Sequence, residues 1–240
     1  MKKIAIIIAA IAVFGFNAHA QSNLTEGIEI SSGSKVESKL RIVFPMHFGF
    51  STLVNPTYNG SWAGTSYGNF QETQFFRNFN YGIEPIGIRF YSKSSPFEFG
   101  LGIRFSLLDF TMANSNISFH QQGGDIVPYD ITTEQSAYDG TKSKVHASYV
   151  GVPLRFFFKA GKAKLYAGVS GEYMFHGYTK YRAPKSTVTI NEMFNRIRGS
   201  VEVGATYGII GLFASYTFTP VFKTTMSDAT AVSFGLTLGM

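Results

Sequence analysis

Residues 97–107 read FEFGLGIRFSL, and this stretch decides the fold. Its odd-numbered positions carry only phenylalanine, leucine and isoleucine, whereas its even-numbered positions carry glutamate, arginine, glycine and serine. A period of two residues is typical of a β-strand with two different faces. The stretch therefore predicts a strand whose one face is apolar and whose other face is mostly polar.

Similar alternation recurs along the chain, in segments that are separated by links of alternating length. The whole set comprises eight segments, which lie at residues 40–50, 80–90, 97–107, 150–158, 165–175, 197–207, 212–218 and 232–240. Short links at 92–95, 159–164 and 208–211 alternate with long links at 55–78, 112–144, 178–196 and 219–229. Short turns on one side and long loops on the other are typical of outer-membrane barrels. The second segment changes phase at Pro85, which predicts a β-bulge there.

The composition indicates that the apolar faces meet lipid. Aromatic residues make up 16% and charged residues 15% of the chain, whereas about 25% of a soluble domain is charged. No apolar run after residue 20 is long enough for a membrane helix, which leaves a closed barrel as the way to satisfy the backbone in lipid. We therefore predict an all-β fold, an antiparallel up-and-down transmembrane β-barrel of eight strands. A soluble β-sandwich or lipocalin-like barrel is the alternative.

The N-terminus predicts export. Lys2 and Lys3 precede an apolar run from Ile4 to Phe16, and Ala18 and Ala20 suit a signal peptidase. We predict a signal peptide at 1–20, cleaved between Ala20 and Gln21, a periplasmic segment at 21–37 and an outer-membrane barrel domain at 38–240. The chain has no cysteine, which excludes a lipoprotein acyl site and disulfides. Its lysines and arginines form no run, which argues against nucleic acid as a partner.

The polar faces should turn into a lumen that side chains fill in an eight-stranded barrel. Acids and bases in so narrow a space should pair, because an unpaired buried charge is costly. We predict a structural charge network of Arg41, Glu84, Arg89, Glu98, Arg104, Arg155, Glu172, Arg198 and Glu202, with His47 also inward. The alternatives are that the glutamates are catalytic or form a proton path, and that the barrel is a narrow channel.

The sequence contains no Gly-x-Ser-x-Gly elbow, no His-Glu-x-x-His metal motif and no Gly-rich phosphate loop. His47, His120, His146 and His176 have no second metal ligand at i+2 or i+4, so the sequence predicts no catalytic, cofactor-binding or metal-binding residue and no cofactor. The alternative is a barrel enzyme that acts on lipid or peptide, in which a histidine meets a serine or an acid at the lipid boundary or loop rim.

The long links carry aromatic residues among Gly, Asn and Ser, which suits contact with a protein or a glycan. The aromatic residues of the first long link are Tyr58, Trp62, Tyr67, Phe70, Phe75 and Phe76, and the second link adds Tyr129 and Tyr138 beside Asp125, Asp130, Glu134 and Asp139. The alternative is that these aromatic side chains pack between hairpins.

The segment Tyr149-Val150-Gly151-Val152-Pro153-Leu154-Arg155, followed by a lysine-rich turn and the strand start at 165–168, resembles the outer-membrane β-barrel domain family of Bacteroidetes-type bacteria. That family includes PorT-like proteins and shares the small barrel of OmpA-like proteins. The family resemblance makes an accessory role in protein secretion an alternative. The last segment, which ends at Met240 in place of the usual terminal aromatic residue, resembles the signal that barrel-assembly machinery recognises, so we expect that machinery as a partner. We predict a non-enzymatic outer-membrane barrel with surface-exposed binding loops or a structural role, and either secretion or barrel-bound catalysis as the alternative.

Overall fold

The computed structural model describes residues 38–54, 57–63, 72–134, 136–137, 139–140, 142–182 and 184–240. The predicted signal peptide and the segment at 21–37 lie outside the described residues. The strands are β1 (Ser38–Val43), β2 (Met46–Val54), β3 (Phe79–Ser92), β4 (Phe97–Thr111), β5 (Ile117–Gln122), β6 (Asp125–Asp130), β7 (Ser143–Ala160), β8 (Ala163–Tyr181), β9 (Ser186–Thr189), β10 (Ile197–Tyr207), β11 (Ile210–Thr217) and β12 (Thr230–Leu238). Short 3₁₀ turns lie at Gly60–Trp62, Phe75–Arg77 and Asn191–Met193, and α1 spans Ile131–Glu134.

The main sheet closes into an antiparallel barrel with eight strand positions, here called staves, which confirms the predicted all-β, eight-stranded barrel. Strands β1 and β2 form one stave, because both pair with β3. Strand β1 pairs with residues 87–92 of β3, and β2 pairs with residues 79–83. The other staves are β3, β4, β7, β8, β10, β11 and β12, each paired with the next along the chain. Pairing of β12 with β2 closes the ring. Neighbours in sequence are thus neighbours in the wall.

The predicted bulge lies where Pro85 interrupts the second stave. The register of β3 against β4 shifts between Ile83 and Ile86. The side chains that face the lumen therefore change from even positions such as Glu84 to odd positions such as Arg89. The first stave has its own break at Pro45, whose carbonyl accepts a hydrogen bond from the Glu84 amide at 2.8 Å. The two prolines therefore interrupt neighbouring staves at the same level of the wall, but only Pro85 changes the phase of its strand.

The outer face of the wall is an exposed apolar belt. On β4 and β7 the exposed side chains include Phe97, Ile103, Phe105, Val152 and Phe156. The belt continues around the barrel through Leu165, Val169, Phe175, Ile197, Val201, Val203, Leu212, Phe234 and Leu236. No helix among the described residues is long and apolar enough to cross a bilayer.

The long links lie at one end of the barrel, here called the outer end, and fold over it as a cap with its own core. The sequence treats 112–144 as a plain link, but β5 and β6 pair there as a hairpin, and β9 pairs with an extended β8 within the link predicted at 178–196. The indole of Trp62 is fully buried, stacks on Phe119 and donates a hydrogen bond to the carbonyl of Ile126 at 2.6 Å. Trp62 therefore packs between hairpins and is not a surface contact, whereas Phe76 remains exposed.

Candidate functional site

The middle of the lumen holds a ring of four charged side chains from four staves. Arg104 donates to Glu84 at 3.0 Å and to Glu202 at 2.9 Å. Arg155 also binds both carboxylates, with one contact to Glu84 at 2.7 Å. All four side chains are buried. The two acids neutralise the two bases, as a structural plug requires.

A second group lies above this ring, nearer the cap. Arg198 on β10 and Glu172 on β8 are direct cross-strand partners and form an ion pair. Ser106 accepts a hydrogen bond from Arg198 at 2.7 Å and donates one to Glu172 at 3.0 Å. The guanidinium of Arg198 also lies over the ring of Tyr149, 3.8 Å from its centroid. This group closes the lumen beneath the apolar core of the cap.

A third group lies at the end with the short turns. Glu98 meets Arg89 at 3.4 Å and the ammonium groups of Lys164 at 2.9 Å and Lys159 at 3.6 Å. The two lysines are additions that the sequence analysis missed. Arg41, which was predicted in the network, forms no ion pair among those described and lies over the ring of Tyr91 at 5.0 Å.

The packed charges leave little open space in the lumen. The cavity lined by His47, Glu84, Arg104, Arg155 and Glu202 has a volume of about 20 Å³, room for roughly one water molecule. The side chain of His47 contacts Asn80 at 3.2 Å beside it. A lumen that is filled in this way favours a structural role for the charged side chains over ion conduction.

A different cluster lies on the outer face of the wall, near its outer rim. Asp109 on β4 and His146 on β7 are direct cross-strand partners, and Nδ1 of His146 is hydrogen-bonded to Oδ1 of Asp109. The other ring nitrogen, Nε2, lies 2.9 Å from the hydroxyl oxygen of Ser148. The ammonium group of Lys144 holds the second oxygen of Asp109 at 2.5 Å. Serine, histidine and aspartate are thus linked in the order of a hydrolase triad.

The strand geometry turns this triad outward. Ser148 pairs with Leu107, and two residues further down the wall Val150 pairs with Phe105. Leu107 and Phe105 are exposed members of the apolar belt, and the pairing places Ser148 on their face, although Ser148 itself is buried with 5% exposure. On its other side Ser148 pairs with His176. The serine therefore lies at the outer edge of the belt, and His146 and Asp109 lie one step beyond it.

The geometry defines how the three groups can act. A carboxylate only accepts hydrogen bonds, so Asp109 fixes the proton of the imidazole on Nδ1. The lone pair of Nε2 is then aimed at Ser148, which donates its hydroxyl proton. Tyr178 stacks on the imidazole with centroids 4.5 Å apart and limits its rotation. A serine beside an oriented base is the arrangement that activates a nucleophile.

The remaining histidines have different surroundings. Nδ1 of His120 lies 3.3 Å from Glu134, and its ring stacks on Tyr129 within the β5–β6 hairpin and its flank. His176 is exposed, with Tyr178 beside it. Across the part of the chain that the structure describes, no group of three or more His, Cys, Asp or Glu side chains is placed to hold a metal ion.

The sequence contained one signal for the triad that the analysis passed over. His146 and Ser148 are two residues apart, so they share one face of a strand. A barrel enzyme requires a histidine that meets a serine or an acid at the rim, and His146 meets both. No protein-family model and no curated protein matches the chain. The resemblance to the PorT-like group therefore stays a prediction.

Proposed function

We propose that this protein is an outer-membrane β-barrel that hydrolyses an ester at the lipid-facing side of its wall. The observation that carries the proposal is the Ser148–His146–Asp109 arrangement at the edge of the apolar belt. Ser148 is the nucleophile, His146 is the general base and then the general acid, and Asp109 orients the imidazole. Because the lumen is filled by charged side chains, we place the activity on the wall and not inside the barrel.

The apolar belt supports the membrane part of the proposal. Exposed phenylalanine, leucine, isoleucine and valine side chains encircle the barrel, and a soluble protein seldom exposes so large a continuous apolar surface. The stretch from Phe97 to Leu107 is about as long as a tilted strand needs to cross the hydrocarbon core. The long links and the triad lie at one end, which we assign to the cell surface.

Membrane burial predicts that the same substitution has a cost that depends on depth. Ile103 lies near the middle of the belt and Ile209 in the turn between β10 and β11, and both are exposed in the isolated barrel. We expect Ile103→Arg to destabilise the barrel in lipid vesicles by about 2–4 kcal/mol and Ile209→Arg by about 0–1 kcal/mol. Reversible urea unfolding from the vesicles, followed by gel mobility without boiling, measures the difference. Equal and negligible effects at both positions would point to a water-exposed wall.

An activated serine can be detected before any substrate is known. The folded barrel should react with a biotinylated fluorophosphonate probe, and peptide mapping should place the label on Ser148. The heat-unfolded protein is the control, because the Ser148 hydroxyl is not activated once β4 and β7 separate. A folded barrel that takes up no label, or takes it up at another serine, would remove the basis for the hydrolase.

The non-enzymatic barrel with binding loops or a structural role remains the second proposal. The exposed acids of the cap, among them Asp125 and Glu134, favour contact with a protein or glycan at the cell surface. A PorT-like role in secretion belongs to the same class, since it requires a protein partner. A folded, unlabelled barrel that co-purifies with one stoichiometric protein would favour this class over the hydrolase.

A further inference from the structure

Two cationic side chains lie beyond the triad along the strand direction, further from the apolar belt. Lys180 is the cross-strand partner of Lys144, and it follows Tyr178 by two residues, so it shares the face that carries His146. Arg182, which is exposed, follows directly after the end of β8, where its amide donates to the carbonyl of Lys142. Each step of two residues is about 7 Å along a strand. The order from the belt outward is therefore Ser148, His146 and then the cations.

This order matches the order of groups in a membrane lipid with a phosphate headgroup. Acyl chains would lie along the belt beside Leu107 and Val150, which places the ester carbonyl at Ser148. The phosphate would then lie in the headgroup layer, where Lys180 and Arg182 provide positive charge. We infer that the substrate is an acyl ester of an anionic, phosphate-bearing lipid in the outer leaflet. The inference rests on the proposed hydrolase and specifies its substrate.

The reaction then needs only water as the second reactant. Ser148 Oγ attacks the acyl carbonyl while Nε2 of His146 takes the hydroxyl proton, and the acyl C–O bond breaks as that proton passes to the departing lipid oxygen. The acyl group remains on Ser148 as an ester. Water attacks this ester, His146 takes a proton from the water and returns it to Oγ, and a fatty acid leaves. One ester and one water give one fatty acid and one lipid hydroxyl.

The test compares two long-chain lipids with identical acyl chains in the same neutral detergent micelles. Phosphatidylglycerol carries a charged phosphate, and diacylglycerol carries none. We expect the native barrel to release fatty acid faster from phosphatidylglycerol, and Lys180→Gln/Arg182→Gln to reduce the ratio of the two rates by about fivefold for each cation. The control is Lys93→Gln/Lys162→Gln, which removes two exposed cations from turns at the opposite end of the barrel and should preserve the ratio.

Three results would overturn the inference and differ in what they leave standing. Equal hydrolysis of both lipids, unchanged in the Lys180/Arg182 variant, would reject the anionic headgroup and keep the hydrolase. Equally fast cleavage of dibutyryl-phosphatidylglycerol, dissolved as monomers, would reject a membrane source for the substrate. Absence of hydrolysis of every ester, together with absence of probe labelling at Ser148, would reject the hydrolase itself.

Discussion

Ser148→Ala is expected to lower kcat/KM for ester hydrolysis by about 10³-fold or more, because the nucleophile is removed and His146 alone activates no covalent route. The substitution deletes one hydroxyl from the outer face of β7, so the barrel itself should fold normally. Hydrolysis of phosphatidylglycerol in detergent micelles gives the rate, and gel mobility without boiling shows that the variant is folded.

Non-additive losses of activity in single and double variants distinguish a catalytic triad from three polar side chains that only lie close together. If Ser148 and His146 act as one unit, Ser148→Ala, His146→Ala and the double variant should lose nearly the same activity. Ser170→Ala is the matched control, since this hydroxyl bonds Ser200 at 2.7 Å on the inner side of the neighbouring stave and should leave the rate unchanged. Losses that multiply in the double variant, or a Ser148→Ala barrel as active as the native one, would contradict the mechanism.

The fold could be predicted because period-two alternation is a local property. Residues 97–107 show both faces of β4 without reference to any partner, and Pro85 marks the bulge because a proline cannot donate to the ladder. The β5–β6 hairpin was missed for the opposite reason. Its side chains are buried by Trp62 and Phe222 from other links, and contacts of that kind have no periodic signature in the sequence.

The candidate site could be predicted only in part, for a related reason. Strand phase identified which charged residues turn inward, but the pairing of Arg198 with Glu172 depends on the register between β8 and β10. The register between β4 and β7 likewise places Asp109 opposite His146. Alternation fixes the face of each side chain and does not fix its height relative to the next stave. The sequence alone therefore places His146 and Ser148 on one face of β7, but it does not place Asp109 beside them.

Glu172→Gln is expected to lower the free energy of unfolding by about 3–5 kcal/mol, because it leaves the guanidinium of Arg198 buried without its counter-charge. Glutamine keeps nearly the same volume, so the cost is electrostatic and not a packing defect. Urea unfolding of the barrel in lipid vesicles, followed by gel mobility without boiling, measures the loss. The control is Glu192→Gln, where an exposed carboxylate bridges Lys223 and Arg196.

The Glu192 control differs from Glu172 in that its ion pairs are exposed to water. Hydrogen bonds from Lys223 and Arg196 lower the pKa of Glu192, so this carboxylate is also ionised and paired, but water screens the pair and its loss should be nearly neutral. Replacing both lumen partners, in Glu172→Gln/Arg198→Met, should recover much of the stability that Glu172→Gln alone loses, because no unpaired charge remains. A double variant as unstable as Glu172→Gln would instead show that the contacts of Arg198 with Ser106 and Tyr149, which only the double variant loses, stabilise the lumen as much as the unpaired charge destabilises it. The size of the recovery thus separates the effect of an unpaired charge from the value of the hydrogen-bonded group itself.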